Sequence, residues 1–126
     1  IALPSGRKLY YPHPFLAENA FGKQALHYYG SDQQSKKWGI KATYGGKLTE
    51  NIVQAIARDC LAVKIERLTA LGYKIVFHVH DEVVIEAPGK HADLDEVCRI
   101  MSEPIPWAPG LPLNADGYIS KFFKKD

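Results

Sequence analysis

Between Leu48 and Leu71 apolar residues recur at the spacing of one long helix, and this segment restricts the possible folds more than any other. Val53, Ala57, Cys60, Leu61, Ile65, Leu68 and Leu71 fall near a single face of a 3.6-residue period. Gly72 stands where a helix-ending glycine belongs, since glycine enters the left-handed backbone region without a Cβ penalty.

The flanks of this helix are β-type. Leu3 to Tyr11 reads as a hairpin turned by Pro4-Ser5-Gly6-Arg7, after which Pro12 and Pro14 break regular structure. Gln24 to Tyr29 and Lys36 to Tyr44 read as a second hairpin around the turn cluster Gly30-Ser31-Asp32, closed by Gly45-Gly46. In its second arm Trp38, Ile40, Ala42 and Tyr44 alternate with Lys37, Gly39, Lys41 and Thr43, so one face is apolar. Beyond the helix, Tyr73 to Val79 and Val83 to Ala87 are apolar β runs. Asp93 to Met101 is a short amphipathic helix with Leu94, Val97, Cys98 and Met101 inward. Pro104, Pro106 and Pro109 make an irregular link, Leu113 to Phe123 reads as a last strand, and Lys124-Lys125-Asp126 as a solvated tail. The order favours an α+β fold over a parallel βαβ arrangement. The expectation is a single domain over 1–126, an antiparallel sheet packed with one long and one short helix.

Composition excludes several classes. A hydrophobic fraction of 46% and a charged fraction of 24% describe a folded chain, not a disordered one. A net charge of +2 gives no global signal for nucleic acid, so any DNA contact must come from local arrangement. Cys60 and Cys98 show no CxxC spacing and read as buried structural thiols in a reducing, cytoplasmic setting. No apolar run approaches the ~18 residues of a membrane span. The opening Ile1-Ala2-Leu3 reads as mid-strand, which points to a processed product, a trimmed form or a piece of a longer polypeptide.

The corner Val79-His80-Asp81-Glu82-Val83 lies between two apolar strands and contains no Gly or Pro. A carboxylate at such a corner is held rigidly, as metal-ion catalysis requires, and magnesium prefers oxygen ligands. Asp81 and Glu82 read equally as solvated turn residues. His78 and His80 share a strand face in an HxH pattern able to grip zinc, but His13, His27 and His91 show no matching ligand spacing, which disfavours a zinc hydrolase. On the long helix Asn51, Gln54 and Arg58 fall at i, i+3 and i+7 on one polar face. Amides there suit the shared acceptors of the DNA minor groove, or form an ordinary wet face. Lys36, Lys37, Lys41, Lys47, Arg58 and Lys64 are scattered basics open to phosphates or to plain solvent. Tyr10, Tyr11, Tyr28, Tyr29, Trp38 and Tyr44 read as sheet packing rather than base-stacking surfaces.

Taken together these pieces resemble the family A DNA polymerases, especially the phage-type branch. Three stretches carry the resemblance: Tyr44-Gly45-Gly46-Lys47-Leu48-Thr49-Glu50-Asn51-Ile52-Val53-Gln54-Ala55-Ile56-Ala57-Arg58-Asp59; His78-Val79-His80-Asp81-Glu82-Val83-Val84; and Trp107-Ala108-Pro109-Gly110-Leu111-Pro112-Leu113 with Ala115-Asp116-Gly117. Leu3-Pro4-Ser5-Gly6-Arg7 also looks like that branch, so the resemblance covers nearly the whole chain. It implies a palm-like partial domain whose His80-Asp81-Glu82 is motif C. There Asp81 would bind the two catalytic Mg2+ ions, His80 would lie near the primer terminus and Glu82 would assist. Gln54 resembles the helix glutamine that touches the minor groove, with Asn51 and Arg58 added on geometry. The implied reaction is template-directed DNA synthesis, in which a primer 3′ hydroxyl attacks the α-phosphorus of a dNTP.

The chain also departs from the family. The motif A segment of the type Asp-Tyr-Ser-x-x-Glu and the fingers helix are absent and are expected upstream of Ile1, and no thumb or exonuclease domain is present. The expectations are therefore an inactive isolated chain that binds Mg2+ weakly or not at all, and partners that comprise primer-template DNA, dNTP and the missing polymerase portion. Self-association through the uncovered palm surface is expected as well. The alternative is a non-catalytic DNA-binding or structural remnant of a polymerase.

Overall fold

The computed structural model describes residues 1–90 and 92–125; His91 and Asp126, named above among possible ligands and in the tail, lie outside them. The chain divides into two compact units, Ile1–Ile56 and Ala57–Asp126. Its elements are β1 (Phe15–Glu18), β2 (Gln24–Ser31), β3 (Trp38–Thr43), α1 (Gly45–Ala70), β4 (Lys74–Val79), β5 (Glu82–Glu86) and α2 (Leu94–Ser102). The architecture is α+β, as expected, but the strands form two antiparallel sheets instead of one. A three-stranded sheet has the order β1-β2-β3, and a two-stranded sheet pairs β4 with β5.

In the first unit the opening hairpin is shorter than expected. Ile1 and Leu9 exchange two backbone hydrogen bonds of 2.8 Å, and Gly6, at φ 89°, closes the turn by donating to Leu3 O at 2.9 Å. Only Ala2 and Lys8 form a ladder bridge. β1 follows directly on Pro14, where irregular structure was expected. Proline is compatible with an edge strand, and the carbonyl of Pro12 accepts from Tyr29 N at 2.9 Å. β1 turns into β2 through Asn19, whose Oδ1 accepts from the backbone N–H of Phe21 and Lys23.

The β2–β3 register pairs Leu26 with Thr43, Tyr29 with Ile40 and Ser31 with Trp38. His27, Tyr29 and Ser31 therefore share a face with Ala42, Ile40 and Trp38. On the opposite face Thr43 is buried, Tyr11 meets Tyr28 edge-on at 4.9 Å, and the Tyr28 ring lies over Gly30. A Cβ at Gly30 would sit 3.2 Å from that ring. The apolar set of β3 faces water instead: Trp38 is 63% and Ile40 57% exposed. Alternation decides which residues travel together but not which face is covered.

In the second unit α1 runs to Ala70 and ends in a Schellman motif, with Tyr73 N donating to Leu68 O (3.1 Å) and Gly72 N to Thr69 O (3.0 Å). Gly72 has φ 89°, as the sequence required. Cys60, Leu61 and Leu68 of α1, Ile100 of α2 and Ile105 are buried. Full burial of a leucine such as Leu68 stabilises by about 2 kcal/mol. Cys60 is buried as expected, and burial pushes its thiol up; Cys98 is only half-buried. The expected apolar stripe is wrong at its ends, since Val53, Ala57 and Leu71 are exposed. Asp93 caps α2, its Oδ1 accepting from Glu96 N at 2.9 Å.

The carbonyls at the far end of α2 are satisfied by side chains of α1. Lys64, 2% exposed, donates from Nζ to Ile100 O (3.2 Å) and to Glu103 O. Arg67 donates to Pro104 O at 3.2 and 3.1 Å. Two cations thus complement the negative end of the helix and close orphan carbonyls. Leu113 to Phe123 forms no strand; Pro112, Asn114 and Gly117 weaken it, and no described strand pairs with it. At Gly117 it passes close to α2, where an added Cβ would lie 3.0 Å from Leu94 Cδ1. No helix among the described residues is long and apolar enough to cross a membrane.

Candidate functional site

β4 and β5 form an antiparallel ribbon in which Val79 opposes Glu82, leaving His80 and Asp81 as a two-residue loop. The tight polar corner read from the sequence is therefore present. Its geometry is demanding. His80 has φ 51° while Asp81 keeps a negative φ, the pattern of a hairpin turn that normally places glycine first. A non-glycine residue held there costs about 1–3 kcal/mol, and such strain clusters at functional sites. His80→Gly is expected to relieve that strain and, after the added chain entropy of glycine, raise stability by about 1 kcal/mol. Thermal unfolding should show a midpoint about 4 °C higher. A lower midpoint would mean that the imidazole itself holds the turn.

Asp81 is exposed and makes no hydrogen bond or ion pair among the described residues. Glu82 is exposed as well, and its backbone belongs to the ladder. The turn thus presents a carboxylate that no described residue pairs with. Upstream, Ile75 opposes Ile85 and Phe77 opposes Val84, so Val76 is an extra residue bulged out of β4. The bulge switches the alternation, placing His78 on the face of Ile75 while Phe77 and Val79 join Lys74.

His78 does not act as one half of a metal clamp with His80, which sits in the turn instead of the strand. Arg58 Nη1 lies 3.1 Å from His78 Nδ1. Arginine has no acceptor, so its N–H donates and Nδ1 accepts, which puts the imidazole proton on Nε2. Sequence reasoning missed this pair, because residues twenty positions apart on different elements carry no periodic signal. No group of three or more His, Cys, Asp or Glu that could hold a metal occurs among the described residues.

The polar stripe of α1 is already committed in part. Asn51 Nδ2 donates to Tyr11 Oη at 3.0 Å and is half-buried. Gln54 is exposed and donates to Glu50 Oε1 at 3.3 Å. Glu50 in turn pairs with Lys47 at 3.0 Å and holds that ammonium above the usual lysine range. Arg58 is exposed, bonded to His78. Each amide thus spends an N–H within the fold and keeps its carbonyl oxygen, Gln54 on an exposed side chain and Asn51 on a half-buried one.

Two expectations are corrected here. Lys64 is no phosphate contact, since it is buried on carbonyls; burial, with the Arg67 charge, pushes its ammonium below the usual range. Lys41 is half-buried and donates to Ser31 O. Among the aromatics, Tyr11, Tyr28 and Tyr29 do pack on the sheet, but Tyr10, Trp38 and Tyr44 stand exposed. In the second unit Tyr73 donates its hydroxyl to Glu96 Oε2, which pushes the phenol up to about 12.

As a donor set for Mg2+ the corner fits in kind: an exposed, unpaired carboxylate on a rigid turn. It fits incompletely in number, because no second acidic strand joins it among the described residues.

The sequence is 56% identical to a DNA polymerase of Bacillus phage SP02 over 127 residues, which takes in all of this chain. The chain spans 19% of the length of that protein. No family model matches the chain. No solved structure matches it.

Proposed function

We propose that this chain is the motif C portion of a family A polymerase palm and that it serves template-directed DNA synthesis. The observation that carries the reading is the exposed, unpaired carboxylate of Asp81 on a strained two-residue turn, in a sequence 56% identical to a phage DNA polymerase. In this reading Asp81 holds Mg2+ and Glu82 supports it. When bound, the metal supplies Lewis-acid assistance to nucleotidyl transfer. His80, forced outward by its backbone, faces the primer terminus. Gln54 offers its amide to the minor groove at any sequence, and Arg58 positions His78 and, through β4, the corner.

The second acidic strand and the triphosphate-binding residues must come from other polymerase segments, so the chain alone does not extend a primer. The relevant partners are primer-template DNA, dNTP and those segments. Primer extension tests the reading: this chain alone should give none, and a polypeptide that also supplies motif A and the fingers should give extension that depends on Asp81. Phe77, Ile119, Phe122 and Phe123 are exposed apolar side chains of the second unit that those segments would cover. Without them, copies of the chain are expected to associate, with light scattering showing a mass above 14.1 kDa that rises with concentration. A strict monomer at high concentration would remove this support.

A further inference from the structure

The outer face of β2 and β3 is unused by the corner chemistry. Trp38 and Ile40 stand on it, 63% and 57% exposed, Ile40 directly opposite the half-buried Tyr29 and Trp38 opposite Ser31. An indole this open contributes little to packing, and a monomer has no reason of stability to leave it in water. Two lysines, Lys36 and Lys37, directly precede it, both exposed and without an ion pair among the described residues. The turn that carries them is built, not slack. Asp32 Oδ1 accepts from Gln34 N (3.0 Å) and Ser35 N (2.7 Å), Asp32 N donates to Lys37 O (2.8 Å), and Lys36 takes φ 57°. The Asp32 carboxylate is thereby engaged by backbone, which holds it below the usual carboxylate range, and it bonds to neither lysine.

Charge follows the same division. Residues 1–56 carry seven Lys/Arg against three Asp/Glu, a net of +4, whereas residues 57–126 carry nine against eleven, a net of −2. The mild overall charge conceals one basic unit and one acidic unit. An exposed aromatic ring that follows two unpaired cations in the chain, within a unit of net positive charge, matches a polymer that alternates flat bases with phosphates. An acidic polypeptide would answer the lysines but leave the ring without purpose.

We propose that the Trp38 face of β2–β3 is a docking platform for single-stranded nucleic acid, with a base stacked on Trp38 and flanking phosphates met by Lys36 and Lys37. The platform is built from the first unit alone and does not use the chemistry of Asp81. The test is fluorescence anisotropy of a labelled oligothymidylate about a dozen nucleotides long, titrated with this chain at about 50 mM salt. Binding is expected to weaken steeply with salt. Trp38→Ala should lower affinity about tenfold and Trp38→Phe much less, because the phenyl ring still stacks. The double variant Lys36→Ala, Lys37→Ala should flatten the salt slope by about 1.4, at about 0.7 per phosphate contact on a single strand. The assay reads binding without primer extension, so failure of the platform and failure of the polymerase reading are told apart, and Ser120→Ala, an exposed change in the second unit, should leave affinity unchanged. Trp38 is exposed, and circular dichroism should show its variants folded. The proposal is overturned if no oligonucleotide binds, if Trp38→Ala binds as tightly as the parent, or if duplex of equal length binds as well without dependence on Trp38. It is overturned equally if sedimentation shows that Trp38→Ala dissolves a dimer and leaves oligonucleotide affinity untouched, which would make the face a contact between copies.

Discussion

Asp81→Asn is expected to reduce primer extension about a thousandfold in a polymerase that contains this chain, with no detectable change in fold. The two halves of that expectation rest on separate observations. The carboxylate is exposed and without a partner among the described residues, so its removal breaks no internal interaction. Asparagine keeps the shape and the turn preference of aspartate. It does not keep the negative charge that a divalent cation requires. Metal-borne charge stabilisation in such reactions is worth several kcal/mol, and each 1.36 kcal/mol is a factor of ten in rate, which gives about a thousandfold. Glu82→Gln should lose about tenfold, in keeping with an assisting role. Thermal midpoints of both variants should lie within about 1 °C of the parent. Unimpaired extension by Asp81→Asn would sink the reading, and impaired extension with a collapsed midpoint would reassign Asp81 to structure.

The second large effect concerns stability. Lys64→Met should destabilise the chain by about 2–3 kcal/mol, measured by urea unfolding. Methionine fills much the same space, so the loss comes from the carbonyls of Ile100 and Glu103, which are left without their donor inside the fold. The pH dependence has a definite sign. Burial lowers the Lys64 ammonium below its ordinary 10.5, so the unfolded chain binds that proton more tightly than the folded one. Stability from this group therefore rises with pH, from the lowered folded value up to the unfolded 10.5. The gap between parent and Lys64→Met should widen through that window. A gap that narrows as the solution becomes alkaline would show that the ammonium charge itself, attracted to the helix end, is the dominant stabilising element.

The sequence revealed what is set by local chemistry. Gly72 marked the end of α1 because a left-handed residue was needed there, and the spacing of Leu94, Val97, Cys98 and Met101 marked α2. The His80-Asp81 corner followed from two β runs with no room for a longer connection. What the sequence left open was which surfaces meet. The α1 stripe was read through Val53 and Leu71, yet burial moves to Ala55, Asp59 and Lys64, where charged groups are tolerated because partners exist. β1 was hidden behind two prolines, and Leu113 to Phe123 has a β composition but no ladder. Both depend on neighbours that a local window does not contain. The same holds for the candidate site. Its carboxylate was legible, whereas the Arg58–His78 contact and the openness of Trp38 belong to tertiary structure.

Val76 places a constraint on how this ribbon can change in length. With one unpaired residue in β4, the parity of side chains beyond it is reversed relative to those before it. Losing that residue alone would leave Phe77, His78 and Val79 on their present partners and faces, because Ile75 and Phe77 would then alternate in step with Ile85 and Val84. A single deletion can therefore be absorbed at the bulge, and only a second would slip the residues between the glycine that ends α1 and the acidic corner against β5.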